Sequence, residues 1–119
     1  MIHVTNCRHY SEITPEPDDT VIFVDRTNRI LGNPFPMQTK TPVERKRVIA
    51  LYKQKFDADF AIKGPMYQEC LRIAILIEQG KSIALQCWCA PLPCHGDTIK
   101  RGIELILAER KTGGDDGSN

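Results

Sequence analysis

The segment Ser82–Cys89 is the feature that most restricts the fold of this chain. It is a short, mainly apolar run of strand length that follows Gly80 and is stopped by Pro91. A strand with one face in water alternates apolar and polar residues, whereas a near-continuous apolar run is typical of a strand covered on both faces. We therefore expect Ser82–Cys89 to lie in the middle of a sheet.

Two more strands and three helices are predicted from composition and helical spacing. The strands are expected at Ile2–Arg8 and Thr20–Asp25. The capping box Thr41-Pro42-Val43-Glu44 should start a helix that continues to about Phe56. A second helix is expected from Met66 to about Gln79, with Gly80 as its left-handed cap, and a third from Thr98 to the Gly113-Gly114 pair.

Strands followed by helices predict a small α/β fold of the Rossmann-like kind, with a single sheet, at least one parallel strand pair and about three helices. A chain of 119 residues has room for one domain. We assign it to residues 1–112 and expect the polar, glycine-rich residues 113–119 to form a disordered tail. Leu85 and Ile103 should be buried in the core.

Two unusual segments should emerge at one edge of the sheet. The loop up to Phe35 follows the strand that ends at Asp25, and the turn from Cys87 to Asp97 follows the central strand. Ligands of open α/β sheets bind at the carboxyl ends of the strands. This edge is therefore the predicted binding site.

The cysteines are concentrated in the second of these segments. Three of the five, Cys87, Cys89 and Cys94, fall within eight residues, and His95 directly follows the last of them. An odd number of cysteines favours reduced thiols. The cluster is explained by small buried side chains around a turn, by a zinc site formed by these three cysteines and His95, or by a reactive Cys94 thiolate. No cofactor is predicted, with zinc as the alternative.

The residues after the cluster are candidates for catalysis and for anion binding. Asp97 is a good N-cap for a helix that begins at Thr98, and Gly96 permits a conformation that a side chain would penalise. The free amides at such a helix start also bind anions. We predict Cys94, His95 and Asp97 as catalytic candidates, with His95 or Asp97 as the general base.

Arg26 directly follows the second strand, where a guanidinium is well placed to bind phosphate or carboxylate. A salt bridge to Asp25 or Glu44 is the structural alternative. The basic run Arg45–Arg47 is interpreted as the solvated flank of the first helix.

Four more residues complete the predicted ligand site. Gly32 and Asn33 lie in the first loop, where Asn33 either contacts the ligand or closes the turn through its own backbone. Phe35 and Trp88 either stack on a planar ligand or pack in the core.

The same residues resemble a known sequence family. The chain resembles a family of phage and bacterial domains of unknown function in Asp25-Arg26, the Gly32-Asn33-Pro34-Phe35 motif, a helix with Glu44-Arg45 and Tyr52, and the motif Cys87-Trp-Cys-Ala-Pro91 with Cys94-His-Gly-Asp97. The similarity covers most of residues 20 to 107. This chain departs from the family in its longer polar tail and in the Thr41-Pro42 helix start. The resemblance implies the fold and the site, and it implies no activity.

Charge and hydropathy restrict the function further. The net charge of +1 gives no broad surface for nucleic acid, so binding to nucleic acid would need a local basic patch. No apolar run approaches the roughly 20 residues that span a bilayer, and Met1–Val4 has no secretory pattern, so we expect a cytoplasmic protein without a membrane partner.

The leading hypothesis is a protein that binds a nucleotide-like or phosphorylated small molecule and acts on it, if it is an enzyme, as a hydrolase or transferase. The alternative is a non-catalytic, phage-type interaction or inhibitor protein with a structural cysteine cluster and a protein partner. A zinc-dependent nucleic-acid module is disfavoured by the neutral charge.

Overall fold

The structure, a computed structural model, describes residues 2–6, 19–25, 28–35, 39, 41–87 and 95–117. In chain order the elements are β1 (Ile2–Asn6), β2 (Asp19–Phe23), α1 (Pro42–Ala61), α2 (Pro65–Glu78), β3 (Ser82–Cys87) and α3 (His95–Gly117). The α/β class, the parallel strands and the three helices are confirmed.

The sheet has the order β1-β3-β2, and β3 pairs in parallel with both neighbours. Ile83, Ala84 and Leu85 are successive residues of β3, so they lie on alternate faces, and all three are fully buried. The predicted central strand, covered on both faces, is therefore confirmed.

Helices α2 and α3 pack on the sheet face that carries Leu85 and its register partner Ile22, and α1 packs against these two helices. Ile103 of α3 belongs to the same core, so the burial predicted for Leu85 and Ile103 is confirmed. On the opposite face of β2, Val21 is 37% exposed and Phe23 is 51% exposed. The two faces of the edge strand therefore differ in burial.

Helix α1 begins with the predicted cap, because the Thr41 hydroxyl accepts a hydrogen bond from the Glu44 amide at 3.2 Å. It continues to Ala61, beyond the expected end at Phe56. The extension has a packing reason, since the Phe60 ring lies 4.3 Å from the Phe56 ring and prolongs the apolar stripe past two aspartates.

Helix α2 is joined to α1 by a tight turn. The Asp59 carboxylate accepts hydrogen bonds from the amides of Met66 and Tyr67, at 3.2 and 2.8 Å, and so caps the start of α2. Gly80 follows the helix with a φ of 94°, which confirms the predicted left-handed residue.

Helix α3 differs from the prediction at both ends. It begins at His95, which places Asp97 within the first turn, so the prediction that Asp97 is the N-cap of a helix beginning at Thr98 is wrong. The helix also continues to Gly117. Glycine weakens a helix without terminating it as proline would, because it keeps its backbone N–H. The domain boundary at residue 112 and disorder of the tail in solution stay predictions.

Among the helices that the structure describes, none is both long enough and apolar enough to cross a membrane.

Candidate functional site

The described parts of the two unusual segments meet at the carboxyl edge of the sheet. Val24 extends the pairing of β2, because its amide donates to the Gln86 carbonyl of β3 at 3.0 Å. The Val24 carbonyl is in hydrogen-bond contact with Nε2 of His95, the first residue of α3. This contact joins residues that are 71 positions apart in the sequence.

The contact to Val24 also determines the role of the His95 ring. A carbonyl oxygen only accepts, so Nε2 carries the proton in this contact. His95 is only 7% exposed, and its ring lies edge-on to the Tyr52 ring with centroids 5.0 Å apart. The Nε2 atom of His95 is therefore engaged by the backbone at the end of β2.

Tyr52 anchors the loop that follows β2. Its ring is fully buried, and its hydroxyl donates a hydrogen bond of 2.6 Å to the carbonyl of Leu31, which is itself fully buried. The same side chain therefore contacts both the loop and the start of α3. Tyr52 fixes the position of one relative to the other.

Asn28 organises the loop from within. Its Nδ2 donates to the Phe23 carbonyl at 3.0 Å, and its Oδ1 accepts from the amides of Ile30 and Leu31. Short-range hydrogen bonds of this kind let an asparagine hold a tight backbone conformation. These hydrogen bonds within the protein connect the described residues 28–31 of the loop to the end of β2.

The structure gives the predicted loop residues local roles. A Cβ on Gly32 would lie 2.3 Å from the carbonyl oxygen of Asp25, so only glycine fits between the two arms of the loop. Oδ1 of Asn33 accepts from the Phe35 amide at 2.9 Å, which is the turn-closing role, and Phe35 is half-buried against the core. Contacts of Gly32, Asn33 and Phe35 with a ligand stay predictions.

Gly96 and Asp97 occupy the first turn of α3 and differ in burial. Gly96 is buried, whereas Asp97 is exposed and, with Thr98, lines an open groove of about 510 Å³ between α1 and α3. The floor of this groove includes Phe56 and Phe60. Asp97 is therefore accessible at the end of the groove, as a general base would need to be.

A comparison with protein families shows the relationship of this chain. Residues 5–105 match the model of a family described as a domain of unknown function, DUF4326. The chain belongs to the DUF4326 family. Searches of curated proteins and of solved structures gave no match. The resemblance to a family of unknown function is thus confirmed, and its phage origin stays a prediction.

Several predicted site residues of this DUF4326 chain lie outside the described residues, namely Arg26, Trp88, Cys89 and Cys94. The backbone of Cys87 ends β3 at the site edge. Among the residues that the structure describes, no group of three His, Cys, Asp or Glu side chains could hold a metal ion. The zinc set Cys87, Cys89, Cys94 and His95 therefore stays a prediction, as does a reactive Cys94.

The described thiol of the DUF4326 chain, Cys70, belongs to the hydrophobic core and not to the predicted site residues. It is a fully buried residue of α2, and burial raises the pKa of its thiol to about 12. A thiol of such a high pKa stays protonated at neutral pH. Cys70 therefore packs as a small apolar side chain.

Sequence reasoning found the edge of the sheet but missed how it is built. Asn28 was not singled out, although asparagine is a common turn residue because its side chain hydrogen-bonds to nearby backbone. Tyr52 was named only as part of the family resemblance, since nothing local shows where its hydroxyl points. Arg45 was placed on the solvated flank with Lys46 and Arg47, but it is half-buried, whereas the other two are exposed.

Proposed function

We propose that this DUF4326 chain binds a nucleotide-like or otherwise phosphorylated small molecule at the carboxyl edge of its sheet, between the loop after β2 and the first turn of α3. The observation that carries the proposal is the hydrogen-bond contact of His95 with Val24. This contact brings together the end of β2 and the start of α3, which are 71 positions apart in the sequence. The carboxyl edge is also where open α/β sheets bind ligands.

The chemistry of the edge supports an anionic ligand. Helix α3 begins there with His95, and the first amides of a helix lack intrahelical acceptors and carry the positive end of the helix dipole. In this proposal the guanidinium of Arg26, directly after β2, adds a bidentate contact to the phosphate.

If the ligand is a substrate, the proposed reaction is hydrolysis or group transfer at a sugar or acyl centre. Asp97 is exposed at the groove and acts as the general base that takes a proton from the attacking nucleophile. His95, whose Nε2 contacts the Val24 carbonyl, is the alternative general base in this proposal. The proposed alternative nucleophile is the Cys94 thiolate.

Thermal unfolding with a panel of nucleotides, nucleosides and sugar phosphates tests the binding proposal. A ligand at about 100 times its Kd adds roughly 2.7 kcal/mol of stability. For a chain of this size that corresponds to an increase in Tm of about 10 °C. No shift with any phosphorylated compound would refute the proposal.

Two variants that replace an acidic side chain by its amide separate binding from catalysis. Asp97→Asn should keep the thermal shift and lose turnover of any ligand that the wild type converts, because the amide cannot accept the proton. Glu104→Gln is the matched control, since Glu104 is an exposed acid on the same helix, two turns further along. Equal turnover in both variants would remove Asp97 from the mechanism.

A second candidate function, binding to a protein partner, is favoured by the exposed face of β2. Val21 and Phe23 lie on the same face and are exposed, although large apolar side chains are usually buried. If no small ligand changes the melting temperature, pull-down experiments should compare the wild type with Phe23→Ser. A Phe23→Ser protein that remains folded but no longer binds the partner of the wild type would support this function. Thr20→Ser, at an exposed position of the same strand, is the control.

A further inference from the structure

Arg45 lies on the core-facing side of α1. The buried residues of this helix are Val48, Tyr52 and Phe56, and Arg45 precedes Tyr52 by seven residues, which is two helical turns. Helical side chains lean toward the amino terminus of the helix. From this position on the helix, the Arg45 side chain is expected to lean toward the amino-terminal end of α1, which follows the site loop in the sequence.

Arg45 differs in burial from the other arginines that the structure describes. It is half-buried, whereas Arg29, Arg47, Arg72, Arg101 and Arg110 are exposed. Its neighbour Lys46 is also exposed, so the burial is a property of this position and not of the whole basic run.

Arg45 also differs in its partners. Arg47, Arg72 and Arg110 each form a bidentate pair with a glutamate, on Glu44, Glu69 and Glu78 respectively. Within the described residues, the Arg45 guanidinium makes no hydrogen bond and no ion pair. Partial burial of a charge without a partner is unfavourable. Such a position is explained if the counter-ion belongs to a ligand.

We infer that Arg45 binds the phosphate group of the ligand of this site. The inference rests on the proposed function and deepens it, because it names a residue that recognises the anion. A guanidinium matches a phosphate through two parallel hydrogen bonds, which an ammonium group cannot form. The basic run of α1 therefore contains one ligand-binding residue, Arg45, beside two solvated ones, Lys46 and Arg47.

The experiment compares two ligand pairs that differ only in the phosphate group. Calorimetric titration measures adenosine 5′-monophosphate against adenosine, and ribose 5-phosphate against ribose, with wild-type protein, Arg45→Met, Arg45→Lys and Lys46→Met. Arg45→Met should weaken binding of the phosphorylated member by about 30-fold, the usual effect of losing charge-assisted hydrogen bonds. Arg45→Lys should weaken it by about 5- to 10-fold because it keeps the charge without the planar fork. Lys46→Met should bind within twofold of the wild type.

Thermal unfolding of the unliganded variants gives a second readout. Arg45→Met should melt at or above the wild-type temperature, because an unpaired, half-buried charge is replaced by an apolar side chain of similar length. A lower melting temperature would assign the guanidinium to folding and overturn the inference.

The outcomes separate this inference from the proposed function. If the wild type binds a phosphorylated compound and Arg45→Met binds it within twofold, the inference is overturned and the proposed function stands. If the wild type binds neither of these compounds and no other phosphorylated compound of the thermal-unfolding panel, both are overturned. Equal losses in Arg45→Met and Lys46→Met would indicate general electrostatic attraction and also overturn the inference.

Discussion

Tyr52→Phe removes one atom from the contact that holds the site loop. The Tyr52 hydroxyl is the donor to the Leu31 carbonyl, and both residues are fully buried. Phenylalanine keeps the ring in the same place, beside Phe56 at 6.0 Å and His95 at 5.0 Å. The substitution therefore tests the hydrogen bond with little change in packing.

The expected loss of stability comes from the carbonyl that is left behind. An average hydrogen bond contributes about 1 kcal/mol net, whereas a buried acceptor left without a donor costs about 1–3 kcal/mol. We expect Tyr52→Phe to lower the free energy of unfolding by about 1–3 kcal/mol. An unfolding entropy of about 2.1 cal/mol/K per residue converts this to a fall in Tm of roughly 4–12 °C.

Urea denaturation followed by circular dichroism measures the change, with Tyr67→Phe as the matched control. Tyr67 is a half-buried tyrosine packed against Phe60, and its hydroxyl has no hydrogen bond within the described part of the chain. Amide hydrogen exchange gives a local readout at Gly32, whose amide donates to the Asn28 carbonyl at 2.8 Å. Exchange there should be faster in Tyr52→Phe and unchanged in Tyr67→Phe.

The reasoning would be refuted if Tyr52→Phe changed the free energy of unfolding by less than about 0.5 kcal/mol, the usual range for neutral surface substitutions, and left hydrogen exchange at Gly32 unchanged. The loop would then be held by its internal hydrogen bonds alone. Equal destabilisation by Tyr67→Phe would indicate that loss of any tyrosine hydroxyl weakens this domain.

Three further predictions concern the core, the loop and the buried thiol. Leu85→Ala and Ile103→Ala should each lower the free energy of unfolding by about 2–5 kcal/mol in urea titrations, because both side chains are fully buried. Gly32→Ala should lower Tm and accelerate loop hydrogen exchange, since its Cβ would meet the Asp25 carbonyl oxygen at 2.3 Å. The Cys70 thiol should resist Ellman's reagent at pH 8 until the protein unfolds. Its pKa of about 12 in the folded state lies above the unfolded-state value. The stability that the protonated thiol contributes is therefore complete below the unfolded-state pKa and is lost as the pH rises toward 12.

The fold could be predicted because its determinants are local and periodic. Ser82–Cys87 has the composition of a doubly covered strand, and the Thr41 capping box and Gly80 mark helix ends. The end of α1 was predicted too early because two aspartates interrupt the stripe that Phe60 resumes. The start of α3 was predicted too late because Asp97 is a common N-cap residue but serves here in the first turn.

For the candidate site, the sequence predicts only a location. The strand-end rule identifies the edge from topology, and the His95 contact with Val24 agrees with it. The sequence does not show that Nε2 is the nitrogen in that contact, nor that the Tyr52 hydroxyl turns to Leu31, because both depend on residues brought together by the sheet. Half-burial of Arg45 has the same origin, since composition alone makes it equivalent to Lys46.

Tyr52 and Arg45 lie on one stripe of α1 and differ in whether their polar groups have partners. The Tyr52 hydroxyl is satisfied within the protein, so its removal should cost stability, whereas the Arg45 guanidinium lacks a described partner, so its removal should cost binding. Residues that build a site and residues that bind its ligand are therefore expected to respond in opposite directions in thermal unfolding. If Arg45→Met has a melting temperature at or above that of the wild type and Tyr52→Phe has a lower one, the first three turns of α1 contain both a residue that stabilises the fold and a residue that is kept for ligand binding.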